Sequence, residues 1–385
     1  MKPFNVESLG QVFTTLEIVE EMLSLRQNKG SILEPSCGDG AFWKMIKDEP
    51  KALGIEIDPS IAPKEVQTED FFKFKFNHMF HTIIGNPPYV KFKNILPDTT
   101  QNLDTRNYDK RTNLYIFFID RCLDLLEDNG EIIFITPREF INATSAIYLN
   151  NKFFKLGTVT HFYDLGDKRV FKGFSPNCAI WRFQKNCFTR QTITNNGVRH
   201  MSLHDGQLFF TNKSFDKKFS DFFMVKVGAV SGCDSVFCSK NGDTDFVGSF
   251  TRKNGQLKRY YYKNSKEMLV PFKNKLLERK IKEFDENNWW QWGREHHKTN
   301  LERIYVNCKT RIKNPFFTNE CKDYDGSVLA IFPKKESTDL GKTTEELNKI
   351  NWREFGFMIG DRYVFSQRSL ENMPLPKGFF EKIKN

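Results

Sequence analysis

No apolar run in this 385-residue sequence approaches the roughly 18 residues that a membrane-spanning helix requires. The opening Met-Lys-Pro-Phe is followed by no signal-peptide-like apolar stretch, so a cytoplasmic location is expected and a membrane partner is not. Eight cysteines are scattered without the spacing of a disulfide framework, which argues against a small stapled secreted scaffold and suits a reducing compartment. The closest pair, Cys233 and Cys238, has no second Cys or His pair at finger-like distance, and no structural metal is expected. Internal repeats and low-complexity tracts are also missing, which argues against a solenoid.

The length suits two domains, each able to bury its own core. From about residue 30 to residue 184, short β-rich apolar runs alternate with segments of helical period, the pattern of a parallel α/β sheet. The expected strands are Ser31–Glu34, Ala52–Ile57, His81–Gly85, Glu131–Thr136, Thr158–Asp164 and Cys178–Phe183, with another ending near Glu69. Leu114, Phe117, Phe118, Cys122, Leu125 and Leu126 recur at helical spacing, and Asn129-Gly130 is expected to stop that helix. Pro97–Arg111 carries polar and charged residues with almost nothing to bury, and is expected to be a mobile loop facing a substrate. Past about residue 185 the rhythm fades, which places a boundary near residues 185–205, between one domain over 1–190 and another over 200–385.

The net charge of +10 is uneven, for residues 1–200 are close to neutral and nearly all the excess lies beyond them. Within about residues 251–300, basic residues including Lys258 and Arg259 are interleaved with Tyr260, Tyr261, Tyr262 and Phe272. Such a stretch suits a phosphate-bearing partner.

The first strand runs into Pro35-Ser36-Cys37-Gly38-Asp39-Gly40 and a helix beginning near Ala41. Gly38 and Gly40 let backbone approach a ligand, and a helix N-terminus favours negative charge, so a nucleotide-like cofactor is expected there. Trp43 stands where the third glycine of a dinucleotide fingerprint would fall, which disfavours NAD. About 20 residues on, Glu56 ends the next strand, placed to accept hydrogen bonds from both hydroxyls of a ribose. In Glu69-Asp70-Phe71-Phe72, a carboxylate can accept from an adenine amino group while a ring packs on the adenine face.

Asn86-Pro87-Pro88-Tyr89 follows the apolar strand Thr82-Ile83-Ile84-Gly85. The exocyclic nitrogen of adenine is a poor nucleophile, because its lone pair is delocalised into the ring. An Asn side-chain carbonyl and the carbonyl of Pro87, held by prolines that fix φ, can accept both N–H hydrogens and draw the nitrogen toward tetrahedral character. Tyr89 would stack on a base flipped out of its duplex.

In this order of elements the sequence resembles the N6-adenine DNA methyltransferases of the gamma group, the TaqI-like modification enzymes of bacterial restriction systems. Gly10–Thr15 is similar to their motif X and Leu33–Gly40 to motif I. Glu56, Asp70 and Asn86–Tyr89 follow as motifs II to IV, with Asn113–Phe118 and Glu131–Pro137 similar to motifs V and VI. The resemblance, over roughly residues 8–184, implies a Rossmann-like class I S-adenosylmethionine-dependent sheet with a C-terminal mixed α+β target-recognition domain. It implies S-adenosylmethionine as cofactor, with Thr14 on the methionine carboxylate, Glu34 on its amino group, Glu56 on the ribose and Asp70 on the adenine. Val12, Gly38, Gly40, Ile57, Phe71, Pro88 and Phe118 complete the implied cofactor pocket, and Asn86, Pro87 and Tyr89 the catalytic set. Arg169-Val170-Phe171 resembles the motif that gives the target base a second aromatic face, through Phe171 or else Phe174. In the C-terminal domain Lys258, Arg259 and Arg311 are the expected DNA contacts.

The implied partners are double-stranded DNA and, acting separately, a cognate restriction endonuclease. Asn-Pro-Pro-Tyr also serves enzymes that methylate a protein glutamine amide, and an RNA adenine poses the same chemistry. Motif X and the long basic aromatic C-terminal region favour DNA. A catalytically silent DNA-binding subunit is the remaining alternative, and it offers no chemical reason to retain Thr14, Glu34, Glu56, Asp70 and Asn86–Tyr89 together.

Overall fold

The apolar runs become neighbouring strands of one ten-stranded sheet in the computed structural model, which describes residues 10, 14–166, 177–212, 217–263, 266–335, 338–359, 361–375 and 378–383. The strands are β1 (Ile32–Glu34), β2 (Ala52–Glu56), β3 (Gln67–Thr68), β4 (Phe80–Gly85), β5 (Leu126–Pro137), β6 (Gly157–Asp164), β7 (Cys178–Lys185), β8 (Gln191–Thr194), β9 (Gly197–His204) and β10 (Gln207–Thr211). Their order is β10-β9-β8-β6-β7-β5-β4-β1-β2-β3. Strands β3, β2, β1, β4 and β5 pair in parallel, but β7 runs antiparallel to both β5 and β6. The expected all-parallel sheet is thus corrected to a mixed one. Strand β7 follows β6 in the chain and lies beside it in the sheet, and an antiparallel pair needs no crossover helix.

Alternation along the central strands divides the core. Leu33, Ile83, Ile132 and Phe134 pack on one face with Ile116, Ile119 and Leu123 of the helix Leu114–Asp124. Ile32, Ile84, Ile133 and Ile135 pack on the other with Ile18, Val19 and Met22 of the helix Leu16–Ser24. Burial on both faces is why these strands read as continuous apolar runs rather than alternating ones.

Three local expectations change. The helix Leu114–Asp124 is capped at Leu125, and Asn129-Gly130 lies inside β5, where Asn129 adopts a φ of 61° and the pairing with β4 shifts register. The segment after the Asn86–Tyr89 turn does bury side chains: Ile95, Thr99 and Leu103 are inside, and Pro97–Thr100 forms a short helix. The sheet also continues past the expected boundary through β8, β9 and β10, and the chain divides into compact units at Met1–Ser214 and Phe215–Asn385. Strands β8 and β9 carry mostly exposed or part-buried polar residues and leave no apolar signature in the sequence, and the buried β10 (Gln-Leu-Phe-Phe-Thr) is too short to signal a sheet by itself.

The second unit is mixed α+β. Strands Phe223–Val227, Val328–Pro333, Ile304–Asn307 and Phe316–Thr318 form an antiparallel sheet in that order. One face packs on Trp352, Phe357, Phe365 and Leu370. A separate aromatic cluster of Phe237, Phe246, Tyr260, Trp289 and Trp292 accounts for the tryptophan-rich stretch in the sequence. No helix among the described residues is long and apolar enough to cross a membrane.

Candidate active site

The chain builds β1, β2 and β3 outward, then returns to lay β4 on the other side of β1. Such a reversal of strand order opens a crevice at the carboxyl ends of the two central strands. A cavity open to solvent lies there, with about 870 Å3 of empty space when its open mouth is included. It is lined by the turn after β1 (Glu34 to Asp39), by Glu56 and Ile57 after β2, by Glu69 to Phe72 after β3, and by Asn86 and Pro88 after β4. Thr14, just before the helix Leu16–Ser24, and Phe118, within the helix Leu114–Asp124, complete it.

Each lining group has a distinct environment. Glu34 is fully buried at the end of β1, and its Oε2 has no hydrogen-bond partner among the described residues. Burial pushes its carboxyl well above the usual carboxylate range, with smaller contributions from the charges of Glu56 and Asp39. Glu56 Oε2 accepts from the Gly38 N–H at 2.7 Å and Oε1 from the Asp58 N–H at 2.9 Å. Burial still raises its pKa, and each oxygen keeps a second lone pair for a ligand hydroxyl. Gly38 and Gly40 adopt φ of 53° and 80°, which tightens the turn that delivers this N–H. Gly40 itself stands outside the lining, packed against Pro63.

Asp70 is held twice: Oδ1 accepts from the Phe72 N–H at 2.8 Å, and Oδ2 from the Thr99 hydroxyl at 2.6 Å. Thr99, within the stretch read as an unpacked loop, lines the cavity, together with Ile95 and Leu96 just before that stretch. Phe71 and Phe118 stack at 4.8 Å between centroids, 12° from parallel.

The Asn86–Tyr89 turn is braced from three sides. The Ser36 hydroxyl donates to the Asn86 carbonyl at 3.2 Å, and Asn86 Nδ2 donates to Thr14 Oγ1 at 3.2 Å. The Tyr89 hydroxyl donates to the Ile135 carbonyl at 2.9 Å, fixing the ring on β5. Gly10, at a φ of 62°, lies so close that a Cβ there would stand 2.7 Å from the Tyr89 nitrogen. Pro87 is buried, and neither Pro87 nor Tyr89 forms part of the lining. Sequence reasoning missed Gly10, Ser36 and Thr99 as supports. Only Gly10 carries a signal, as the glycine that opens the motif-X-like segment Gly10–Thr15. Val12, Phe171 and Phe174 lie outside the described residues.

Residues 27–171 match the family model described as the Eco57I restriction-modification methylase. The matched residues hold every lining carboxylate and the Asn86–Tyr89 turn. Among curated relatives, the Type II methyltransferase M.HincII of Haemophilus influenzae is 31% identical over 189 residues, covering 46% of this chain and 38% of the relative. M.TthHB8I of Thermus thermophilus is 28% identical over 197 residues, covering 46% of this chain and 45% of the relative. The chain spans less than half the length of these relatives. The solved structure of the Type IIL restriction-modification enzyme MmeI in complex with DNA superposes with a TM-score of 0.60 at 10% identity, over 93% of this chain and 64% of that one. The chain therefore shares the fold of that structure, and the match extends into the second unit.

The basic residues singled out in that second unit are engaged within it. Lys258 Nζ pairs with buried Asp325 at 2.7 Å, Arg259 with Asp245 at 3.3 Å and Arg311 with Asp361 at 2.6 Å. Arg259 and Arg311 remain about half exposed, whereas Lys258 is a structural partner of an interior carboxylate.

The residues around the cavity suit S-adenosylmethionine. The buried Glu34 carboxyl, with its Oε2 lacking a partner among the described residues, suits an ammonium, the doubly anchored Glu56 a diol, and Asp70 beside the Phe71 ring an aminopurine.

Proposed function

We propose that this chain is a site-specific DNA methyltransferase that modifies the exocyclic N6 amino group of adenine. The observation that carries the reading is that Asn86 lines the same cavity as Glu34, Glu56 and Asp70, so an amide of the Asn86–Tyr89 turn and the cofactor groups share one space. When bound, S-adenosylmethionine supplies an electrophilic methyl group. Glu34 and Thr14 hold the two polar ends of its methionine part, Glu56 the ribose, and Asp70 the adenine, with Ile57, Phe71 and Phe118 as apolar walls. The Ser36 bond occupies the Asn86 backbone carbonyl, which leaves the Asn86 side-chain oxygen and the Pro87 carbonyl to accept the two hydrogens of the target amine. Preorganised acceptors and positioning account for the catalysis. Residues 1–214 are the catalytic part of this reading and 215–385 the target-recognition part, with DNA as partner, a cognate endonuclease as companion and the cytoplasm as location.

The test is single-molecule modification sequencing of DNA from a methylation-free host that expresses the chain or its Asn86→Ala variant. N6-methyladenine at one short sequence, with wild type only, is the expected result. N4-methylcytosine in its place would move the target to another base, and no DNA modification with either protein would sink the DNA reading.

Two cofactor-site predictions follow from the geometry. Below its raised pKa Glu34 carries a proton, and a ligand ammonium favours the ionised form, so S-adenosylmethionine binding should release a proton. Titration calorimetry in buffers of different ionisation enthalpy should show buffer-dependent heats that Glu34→Gln largely removes. Unchanged buffer dependence in that variant would assign the proton to Glu56 instead. Thr99→Val keeps the shape but removes the donor to Asp70 Oδ2, and should weaken cofactor binding by about tenfold. Wild-type affinity would mean that the Phe72 N–H alone positions Asp70.

A further inference from the structure

The second unit holds a cavity of about 650 Å3 that has no part in the chemistry above. Lys263, Lys266, Lys282 and Arg294 contribute to its lining, together with Trp290 and Tyr261. The contrast with the rest of the unit is in how its cations are paired. Lys258, Arg259, Lys273, Arg311 and Lys322 each face a carboxylate within the unit. Among the described residues, Lys263, Lys266 and Lys282 have no carboxylate at ion-pair distance. Arg294 donates from Nε and Nη2 to the Gly228 carbonyl, which does not neutralise it. The one carboxylate of the lining, Glu295, accepts the Tyr262 hydroxyl and pairs with Lys298 at 3.1 Å, so its charge is already balanced.

Aromatic surface accompanies these charges. Lys266 Nζ rests 3.7 Å from the centre of the half-buried Trp290 ring, a cation–π contact that holds an ammonium less firmly than an ion pair does. The segment that supplies Lys266 continues with Met268 and Val270, each 55% exposed, and Phe272 at 44%. A lone inorganic anion would use the charges and ignore this apolar surface. A nucleotide chain uses both, since each phosphate is joined to a sugar and a base with faces that pack on aromatic and aliphatic side chains.

We propose that this cavity takes a stretch of DNA backbone, with Lys263, Lys266 and Lys282 on phosphates and Trp290 against a sugar or an unstacked base. The proposal rests on the DNA methyltransferase reading and adds to it a contact region different from Lys258, Arg259 and Arg311.

The test measures binding of a fluorescein-labelled random-sequence DNA duplex to the full chain by anisotropy over a sodium chloride series. Each phosphate contact adds about 0.9 to the slope of log affinity against log salt, so Lys263→Gln with Lys282→Gln should flatten that slope by about two. Lys263→Arg with Lys282→Arg should retain it. Lys335→Gln with Lys342→Gln removes the same charge from the unit outside this cavity, and should leave the slope near the wild-type value. A wild-type slope in the Lys263/Lys282 double Gln variant, or an equal loss in the control pair, would overturn the assignment while leaving the methyltransferase reading intact. Failure of the wild-type chain to bind the duplex would overturn that reading, and the proposal with it.

Discussion

Asn86→Ala is expected to reduce methyl transfer by about 10² to 10³-fold or more while leaving S-adenosylmethionine binding within a few-fold of wild type. The cofactor groups sit on other elements: Glu34 ends β1, Glu56 ends β2 and Asp70 follows β3, and Glu56 and Asp70 are anchored by Gly38, Asp58, Phe72 and Thr99. The small loss in binding comes from Thr14, which gives up its bond from Asn86 Nδ2. The large loss in rate comes from removing one of two acceptors aimed where the amine must change geometry. Single-turnover transfer of a labelled methyl group, with calorimetry for cofactor affinity, separates the two effects. Wild-type-like turnover would end the proposed mechanism, and lost cofactor binding would reassign Asn86 to the cofactor site.

Asn86→Asp sharpens this result. The carboxylate still presents an acceptor, and the Thr14 hydroxyl can donate to it, so this variant should retain more activity than Ala. The turn itself should hold in both, because its braces are backbone and neighbouring groups: the Ser36 hydroxyl on the Asn86 carbonyl, the Tyr89 hydroxyl on Ile135, and the close approach of Gly10. Rigidity there serves the chemistry, since a misplacement of about 1 Å in such a site costs on the order of 10²-fold in rate.

What the sequence disclosed is what short-range pattern encodes. Strands β1, β2, β4, β5, β6 and β7 show as apolar runs because their neighbours cover both faces. Glu34, Glu56, Asp70 and Asn86 were found because each stands at a strand end, where the chain must turn toward the cavity. What stayed hidden depends on partners distant along the chain. Thr99 lies 29 residues from Asp70, in a stretch whose polar composition suggests solvent, and only the fold shows the hydroxyl buried against a carboxylate. Lys258 lies 67 residues from Asp325, and a basic residue in a basic run gives no hint that an interior Asp neutralises it. The reversed direction of β7 is equally silent, since an apolar run buried on both faces reads the same in either orientation.

Arg182→Leu should cost about 3–5 kcal/mol of stability and lower Tm by on the order of 10 °C, with methyl transfer at low temperature little changed. Arg182 on β7 and Glu131 on β5 form an ion pair at 2.7 Å with both side chains almost wholly buried. The guanidinium also donates to Thr160 Oγ1, Gln27 Oε1 and Gln184 Oε1, tying β6 and the segment after the first helix to the sheet. Glu131 accepts in addition from the N–H groups of Gln27 and Asn28 and from the Thr82 hydroxyl. Thr82 and Glu131 lie toward the amino ends of β4 and β5, opposite the cavity, which is why stability and catalysis should separate here. Replacing only the arginine leaves a buried carboxylate without its countercharge. Replacing both with leucine removes that charge, yet it also strips the Gln27 and Asn28 N–H groups of their acceptor, so the double variant should recover only part of the loss. Thermal unfolding of both variants decides the point: full recovery in the double would mean that the backbone donors find water, and a cost below about 1 kcal/mol in the single would mean that the pair does not hold the sheet together.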